Sequence, residues 1–265
     1  MKLVKSYQCE TASRIFHGHH SPDWIKSFVE ISARAVKTKF FDVGDSLFSF
    51  IVESVPKSLM VENLVLAVTS KIVSLAENRL VPLDSVERAE LIAREADEIV
   101  GHVSHNHTMT LKHGLLIPGA GIDSSNSKDL DYILYPKDPW KSAQDLGADL
   151  RAHYGLKNLG VILTDSHSVP MRRGVTGISL AHWGFRGVRD CIGQPDLYGR
   201  PLKFTKQNVA DALASTAVLL MGEGNESQPL VLLKCDQLVY FDGADREELL
   251  VKPEDDLYLQ LLNRR

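Results

Sequence analysis

Cysteine is scarce in this chain. Cys9, Cys191 and Cys235 are three in 265 residues, too scattered and too odd in number for a disulfide framework or a CxxC metal site, so reduced thiols are expected. Long apolar runs are missing too. None reaches the roughly 18 to 20 residues of a membrane-spanning helix, and the opening Met1-Lys-Leu-Val-Lys-Ser-Tyr-Gln has no signal-peptide core. The expectation is a cytoplasmic protein with no membrane partner. A basic excess is also absent: 30 Lys and Arg face 34 Asp and Glu, for a formal net charge of -4. Proteins that grip a nucleic-acid backbone usually carry the opposite balance, so no nucleic-acid partner is expected. No GxxxxGK[ST] stretch occurs, so any nucleotide must be held by something other than a standard P-loop. The two histidine groups, His17, His19, His20 and His102, His105, His107, match neither HExxH nor a finger spacing. They read as polar loop, with a structural zinc as the alternative.

What is present is ordinary core-forming material, 44% hydrophobic and 24% charged. Leu64 to Thr69 reads as a buried strand, and Ser70 to Ser74 either extends it or turns out of it. Asp84 is placed to cap a helix running to about Val100, with Glu87 three positions on as in a capping box. Asp138-Pro139 is a helix start and Gly155 its stop. Leu159 to Thr164 predicts a short buried strand ending in polar residues. Val209, Ala212, Leu213, Thr216, Ala217 and Leu220 fall at helical spacing, with Gly222 as terminator, and Pro229 to Leu233 predicts another strand. The segment after Asp242 is expected to pack loosely. Strands and helices alternate without a clean βαβ rhythm, which favours an α+β fold.

The chemistry concentrates in three remote stretches. In Gly119-Ala-Gly-Ile-Asp123-Ser-Ser-Asn126, two glycines let backbone approach a ligand closely while a carboxylate and an amide share one side of a turn. Asp123 could ligate a metal and Asn126 orient a phosphate oxygen; an Asx turn or helix cap needs the same residues. Asp165 and Ser166 end an apolar strand, a rigid place from which a carboxylate points out of the core, although both residues also cap helices well. Met221-Gly222-Glu223-Gly224 offers a third acid on a turn. Arg172 and Arg173 would suit a phosphate or carboxylate substrate, or simply be solvated. Arg186, Arg189 and Arg200 add positive charge that Asp190 and Asp196 can neutralise. Lys71 is placed to reach a phosphate or to solubilise a strand end, and His167 is a possible acid or base.

Taken together, Gly114 to Asn126, the Asp138-Pro139-Trp140 start, the strand to Asp165, Asp190 to Arg200 and Val209 to Glu223 resemble the coenzyme F420-0:γ-glutamyl ligase family in order and spacing. The resemblance implies a nucleotide-dependent amide ligase that joins L-glutamate to a small-molecule carboxylate acceptor, with GTP as co-substrate and Mg2+ or Mn2+ at the phosphates. It implies metal ligation by Asp123, Asp165, Ser166 and Glu223, and a catalytic role for Asp165 and Arg172. Nucleotide contacts would come from Ser70, Lys71, Asn126 and the loop Met221, Gly222, Gly224, Asn225, with Lys37 to Phe40 before Val43-Gly-Asp45 similar to an amino-terminal nucleotide loop. It further implies an unusual α+β arrangement of mixed sheets and helices forming an intertwined homodimer, with residues 1–36 as an extension, 37–241 as the catalytic domain and 242–265 as a tail packed on or near it. Two departures stand out. Ser74-Leu75-Ala-Glu77-Asn78-Arg79 replaces Ser-Lys-Ala-Glu-Gly-Arg, losing a lysine that contacts nucleotide in relatives. Asp165-Ser-His-Ser-Val-Pro170-Met-Arg172 replaces Asp-Thr-Phe-Gly-Arg-Pro-Trp-Arg, which keeps a hydroxyl after the acid but loses aromatics and one arginine. A folate-type polyglutamate ligase and a non-catalytic nucleotide- or metal-binding regulator are the rival readings.

Overall fold

The computed structural model describes residues 30–103, 107–127, 131–236, 238–252 and 254–258. His17, His19, His20, His105 and Cys9 lie outside them. The centre is a five-stranded mixed sheet in the order β1 (Ser32–Val36), β12 (Leu230–Lys234), β2 (Leu64–Thr69), β8 (Leu159–Ser168), β9 (Val175–Trp183). Only the β2/β8 pair is parallel, aligning Leu64 with Leu159, Leu66 with Val161 and Val68 with Leu163. Alternation along the strands then sorts side chains onto two faces. Leu64, Leu66, Val68, Leu159, Val161, Leu163, Leu230 and Leu232 pack with helices α1 (Leu47–Ser54) and α4 (Pro139–Tyr154). Val65, Ala67, Ile162, Val231 and Leu233 pack with helix α5 (Val209–Met221) on the other face.

The helix signals explain the flanks. Asp138 accepts a hydrogen bond from the Lys141 amide at 3.1 Å, Pro139 follows, and Gly155 closes α4 in the left-handed region at φ 69°. Asn208 caps α5 by accepting from the Asp211 amide at 3.0 Å, and Gly222 ends it. The helix lies very close to β9, because a Cβ on Gly177 would collide with the Ala214 backbone.

Beside the main sheet lie smaller elements: β3 (Leu80–Pro82) pairs with β7 (Asp131–Ile133), and β4 (Glu98–Val103), β5 (His107–Lys112) and β6 (Leu115–Pro118) form a meander. β10 (Val188–Asp190) pairs with β11 (Lys206–Asn208). Mixed pairing with helices on both faces gives an α+β architecture.

Several expectations change here. Of the two readings of Ser70 to Ser74, the turn out of the strand holds and the extension does not, because the segment enters a helix, α2 (Ser70–Ala76). The helix expected from Asp84 to Val100 is only α3 (Arg88–Glu95), its N-cap is Glu87 without a side-chain bond, and the chain then enters β4. Ile99, Val100 and Val103 are β-branched, and the partner strand outweighs their helical spacing. His102 and His107 accordingly stand on paired strands, not in a loop. β8 runs to Ser168, so Asp165 and Ser166 lie within the strand, paired with Ile178 and Gly177, and do not end it.

The segment after Asp242 is anchored, not loose. Its Glu248 carboxylate accepts from the Gly187 and Val188 amides at 2.5 and 3.3 Å and bonds the His182 ring at 2.6 Å. Both Cys191 and Cys235 are buried and free, and burial pushes the Cys235 thiol up to about 12, leaving it protonated and inert. No helix among the described residues is long and apolar enough to cross a membrane.

Candidate functional site

A cleft of about 550 Å³ opens where the Gly119–Ser125 turn, β8, the β4/β5 hairpin and α3 meet. Asp123, Asp165, Ser166 and Glu223 all line it, although they come from three distant stretches of sequence.

The turn that delivers Asp123 has three successive left-handed residues, Gly119, Ala120 and Gly121, at φ 61°, 54° and 71°. Glycine accepts this conformation at no steric cost, and Ala120 is held there by its amide, which donates to the buried Thr110 hydroxyl at 2.9 Å. Gly121 is approached by protein and not by ligand: a Cβ there would overlap the Tyr135 ring. Asp123 then forms an Asx turn, accepting from the Ser125 amide and hydroxyl, both at 2.8 Å. Thus the structural reading of this motif holds at the same residue that lines the cleft.

Lys71, in the first turn of α2, reaches across to this loop. Its ammonium lies 2.6 Å from Asp123 Oδ2 and donates to the Ser125 hydroxyl at 3.0 Å. Burial works against ionisation of Asp123, but the Lys71 and Ser125 hydrogen bonds outweigh it and hold the carboxyl below its ordinary value. Asp165 moves the other way. Burial dominates and raises its pKa, even though the Tyr135 hydroxyl donates to Oδ2 at 2.6 Å and the Ser166 amide and Lys71 charge favour the carboxylate. The Asp123 charge adds to the rise, so the two acids sense each other.

Arg88, His102, His107 and His167 add nitrogen groups to the cleft wall. Burial lowers the pKa of His167, favouring its neutral ring. The Arg88 guanidinium is fixed by donating to the Ile122 carbonyl at 3.0 Å.

The donor set offered to a cation is carboxylate and hydroxyl oxygen, the chemistry of Mg2+ or Mn2+. The acids nevertheless do not close into a compact cage. Among the described residues no three His, Cys, Asp or Glu side chains are grouped to hold a metal ion, and Glu223 is exposed on its loop at the cleft.

Other candidates divide. The loop after α5 meets the amino-terminal segment, since the Thr38 amide donates to the Ser227 carbonyl at 3.0 Å, and the Gly44 amide bonds the Leu75 carbonyl at 3.1 Å. Asn126, Gly224 and Asn225 are exposed on their loops, whereas the Ser70 and Met221 side chains are buried in the core, Met221 against Thr164. Arg172 sits on the exposed β8/β9 turn and does not line the cleft. Arg186 and Arg200 are paired with Asp242 and Asp196 at 2.8 and 2.9 Å. Asn78 stands at φ 52°, a left-handed position that asparagine tolerates where a glycine would also serve.

Tyr135 is the residue sequence reasoning passed over. It follows β7 in an apolar run, and the only available signal was general: a buried tyrosine needs a partner for its hydroxyl.

Comparison with known proteins identifies the family. The family model described as F420-0:Gamma-glutamyl ligase matches residues 35–234. A coenzyme F420:L-glutamate ligase of Methanopyrus kandleri is 34% identical over 236 residues, covering 81% of this chain and 92% of its own length. The enzyme of the same name from Archaeoglobus fulgidus is 34% identical, covering 76% of this chain and 86% of its own. One from Methanococcus maripaludis is 37% identical over 174 residues, covering 65% and 68% respectively. With three quarters of its length inside that match and a cleft collecting the expected acids, the chain belongs to the F420-0:γ-glutamyl ligase family.

Proposed function

We propose that this protein is a nucleotide-dependent ligase that joins L-glutamate to the carboxylate of coenzyme F420-0 or a closely related acceptor, with GTP as the energy source. The observation that carries the reading is the convergence of Asp123, Asp165, Ser166 and Glu223 on one cleft. A free carboxylate is a poor electrophile, so the acceptor must first gain a leaving group. An acceptor oxygen attacks the terminal phosphorus, the bond from that phosphorus to the bridging oxygen breaks, and nucleoside diphosphate departs. The glutamate amine then attacks the acyl carbon of the acyl phosphate, the C–N bond forms, and phosphate leaves with its electron pair.

Asp123, Asp165, Glu223 and the Ser166 hydroxyl would hold Mg2+ or Mn2+, which supplies charge neutralisation at the phosphates when bound. The remaining work falls to the chain itself. Lys71 fixes Asp123 and brings positive charge to the phosphate side of the cleft. His167, kept neutral by burial, is the group in the cleft suited to accept the proton that the amine loses. The exposed loops carrying Asn126, Gly224 and Asn225 are the proposed nucleotide contacts. Arg172, on its outer turn, would meet substrate only at the rim. We carry the homodimer and the cytoplasmic location as parts of the same reading.

The test is mass spectrometry of products after incubation with glutamate, Mg2+ or Mn2+, GTP or ATP, and a panel of carboxylate acceptors that includes F420-0 and folates. A gain of one or more glutamyl units on F420-0 with GTP is expected. Glutamylation of folate alone would move the protein to the other acceptor, and nucleotide binding without any product would make it a regulator.

A further inference from the structure

We infer that Tyr135 is a positioning residue that holds the Asp165 carboxylate by one oxygen and presents the other to the cleft, so that cation affinity depends on a phenol that touches neither cation nor substrate. This rests on the reading of Asp165 as a cation ligand.

The arrangement is built from several independent contacts. The Tyr135 hydroxyl donates to Asp165 Oδ2 at 2.6 Å, the short length of a charge-assisted bond. The tyrosine is only 6% exposed, and its ring sits against Gly121, whose missing side chain is what leaves it room. On another side the His113 ring is stacked at 6.4 Å between centroids and 24° between planes. The backbone is clamped as well. The Leu134 amide donates to the Arg79 carbonyl at 3.0 Å, and the Arg79 side chain returns a bond to the Tyr135 carbonyl at 3.0 Å while its other nitrogen pairs with Glu95 at 2.6 Å.

A ring fixed on these sides cannot follow Asp165 if the carboxylate rotates. The phenol therefore sets the carboxylate plane and takes Oδ2, while the Ser166 amide is a further donor to the same carboxylate and the residue still lines the cleft. Groups that orient a ligand in this way commonly change metal affinity by about 10- to 100-fold when removed. Gly121 and Asp123 lie two residues apart on one turn, so the turn that offers one acid to the cleft also shapes the wall that holds the tyrosine on the other.

The experiment compares Tyr135→Phe with the unaltered protein. The substitution removes a single oxygen and keeps the ring in its packing, and a thermal melt checks that the fold survives. Mn2+ binding is read directly by electron paramagnetic resonance in the presence of a non-hydrolysable GTP analogue. We expect the Mn2+ Kd to rise about tenfold. Affinity for the analogue without divalent cation should not change, and the apparent KM for Mn2+ in turnover should rise more than kcat falls. Equal Mn2+ affinity in the two proteins overturns the inference alone. Failure of the unaltered protein to bind Mn2+ at all overturns the cation-site reading, and this inference with it.

Discussion

Lys71 Nζ lies 2.6 Å from Asp123 Oδ2, an ion pair that ties the first turn of one helix to a glycine turn 52 residues further along the chain. Neither partner is fully enclosed, with side chains 25% and 43% exposed, so solvent screens the pair and its direct worth to stability is modest, about 1 kcal/mol or less. On the proposed ligase reading its functional worth is larger. Lys71→Met is expected to cost about a hundredfold in turnover, the usual scale for removing one preorganised charge from a phosphate site, while the urea midpoint at neutral pH changes little. Linkage gives the acid side. Because the folded Asp123 pKa lies below its unfolded value, its contribution is present above about pH 4 and is lost as pH falls through the folded value. Without Lys71 two of the causes that lower the folded Asp123 pKa are gone, and the acid unfolding limb should move to higher pH.

Asp165 has the opposite sign. Burial raises its folded pKa, so its favourable contribution is complete below about pH 4 and is lost as pH rises through the raised value. At neutral pH the ionised group is therefore a burden on the fold. Asp165→Asn should melt at or above the temperature of the unaltered protein at pH 7 while losing at least about a hundredfold in turnover. Full activity with normal cation dependence in that variant would remove Asp165 from the mechanism.

His182 and Glu248 make a second linked pair, remote in sequence and outside the cleft. The ring is fully buried, and burial lowers its pKa although Glu248 opposes the shift. A histidine kept neutral in the fold contributes stability above about pH 6.5 that is lost as pH falls towards its lowered value. Glu248→Ala would strand the Gly187 and Val188 amides together with the ring nitrogen, at an expected cost of about 2–4 kcal/mol. Urea titrations at several pH values read both effects. An unaffected midpoint would mean that the segment after Asp242 does not hold the sheet edge.

Local physics made much of this legible in advance. The Asp138-Pro139 start and Gly155 stop of α4, the Gly222 stop of α5 and the apolar strand at Leu64–Thr69 depend on residues close in sequence, and each lies where its signal placed it. The Asp84 helix failed for a non-local reason: Ile99 to Val103 have a strand partner in His107 to Thr110, whose pairing a window of helical spacing does not reveal. The strand ending expected at Asp165 failed likewise, because β9 continues the pairing to Ser168.

By itself the sequence determined the chemistry available, an acid-rich, hydroxyl-bearing set without thiolate clusters or a P-loop, and the family to which its blocks belong. Tertiary structure alone decided how those groups are used. Register between β2 and β8 and the left-handed turn at Gly119–Gly121 bring Asp123 beside Lys71 and leave Asp165 under Tyr135, so two carboxylates of one type acquire opposite pKa shifts. The physical reason is that burial and hydrogen bonding depend on three-dimensional neighbours 30 to 52 residues away, which no local pattern encodes.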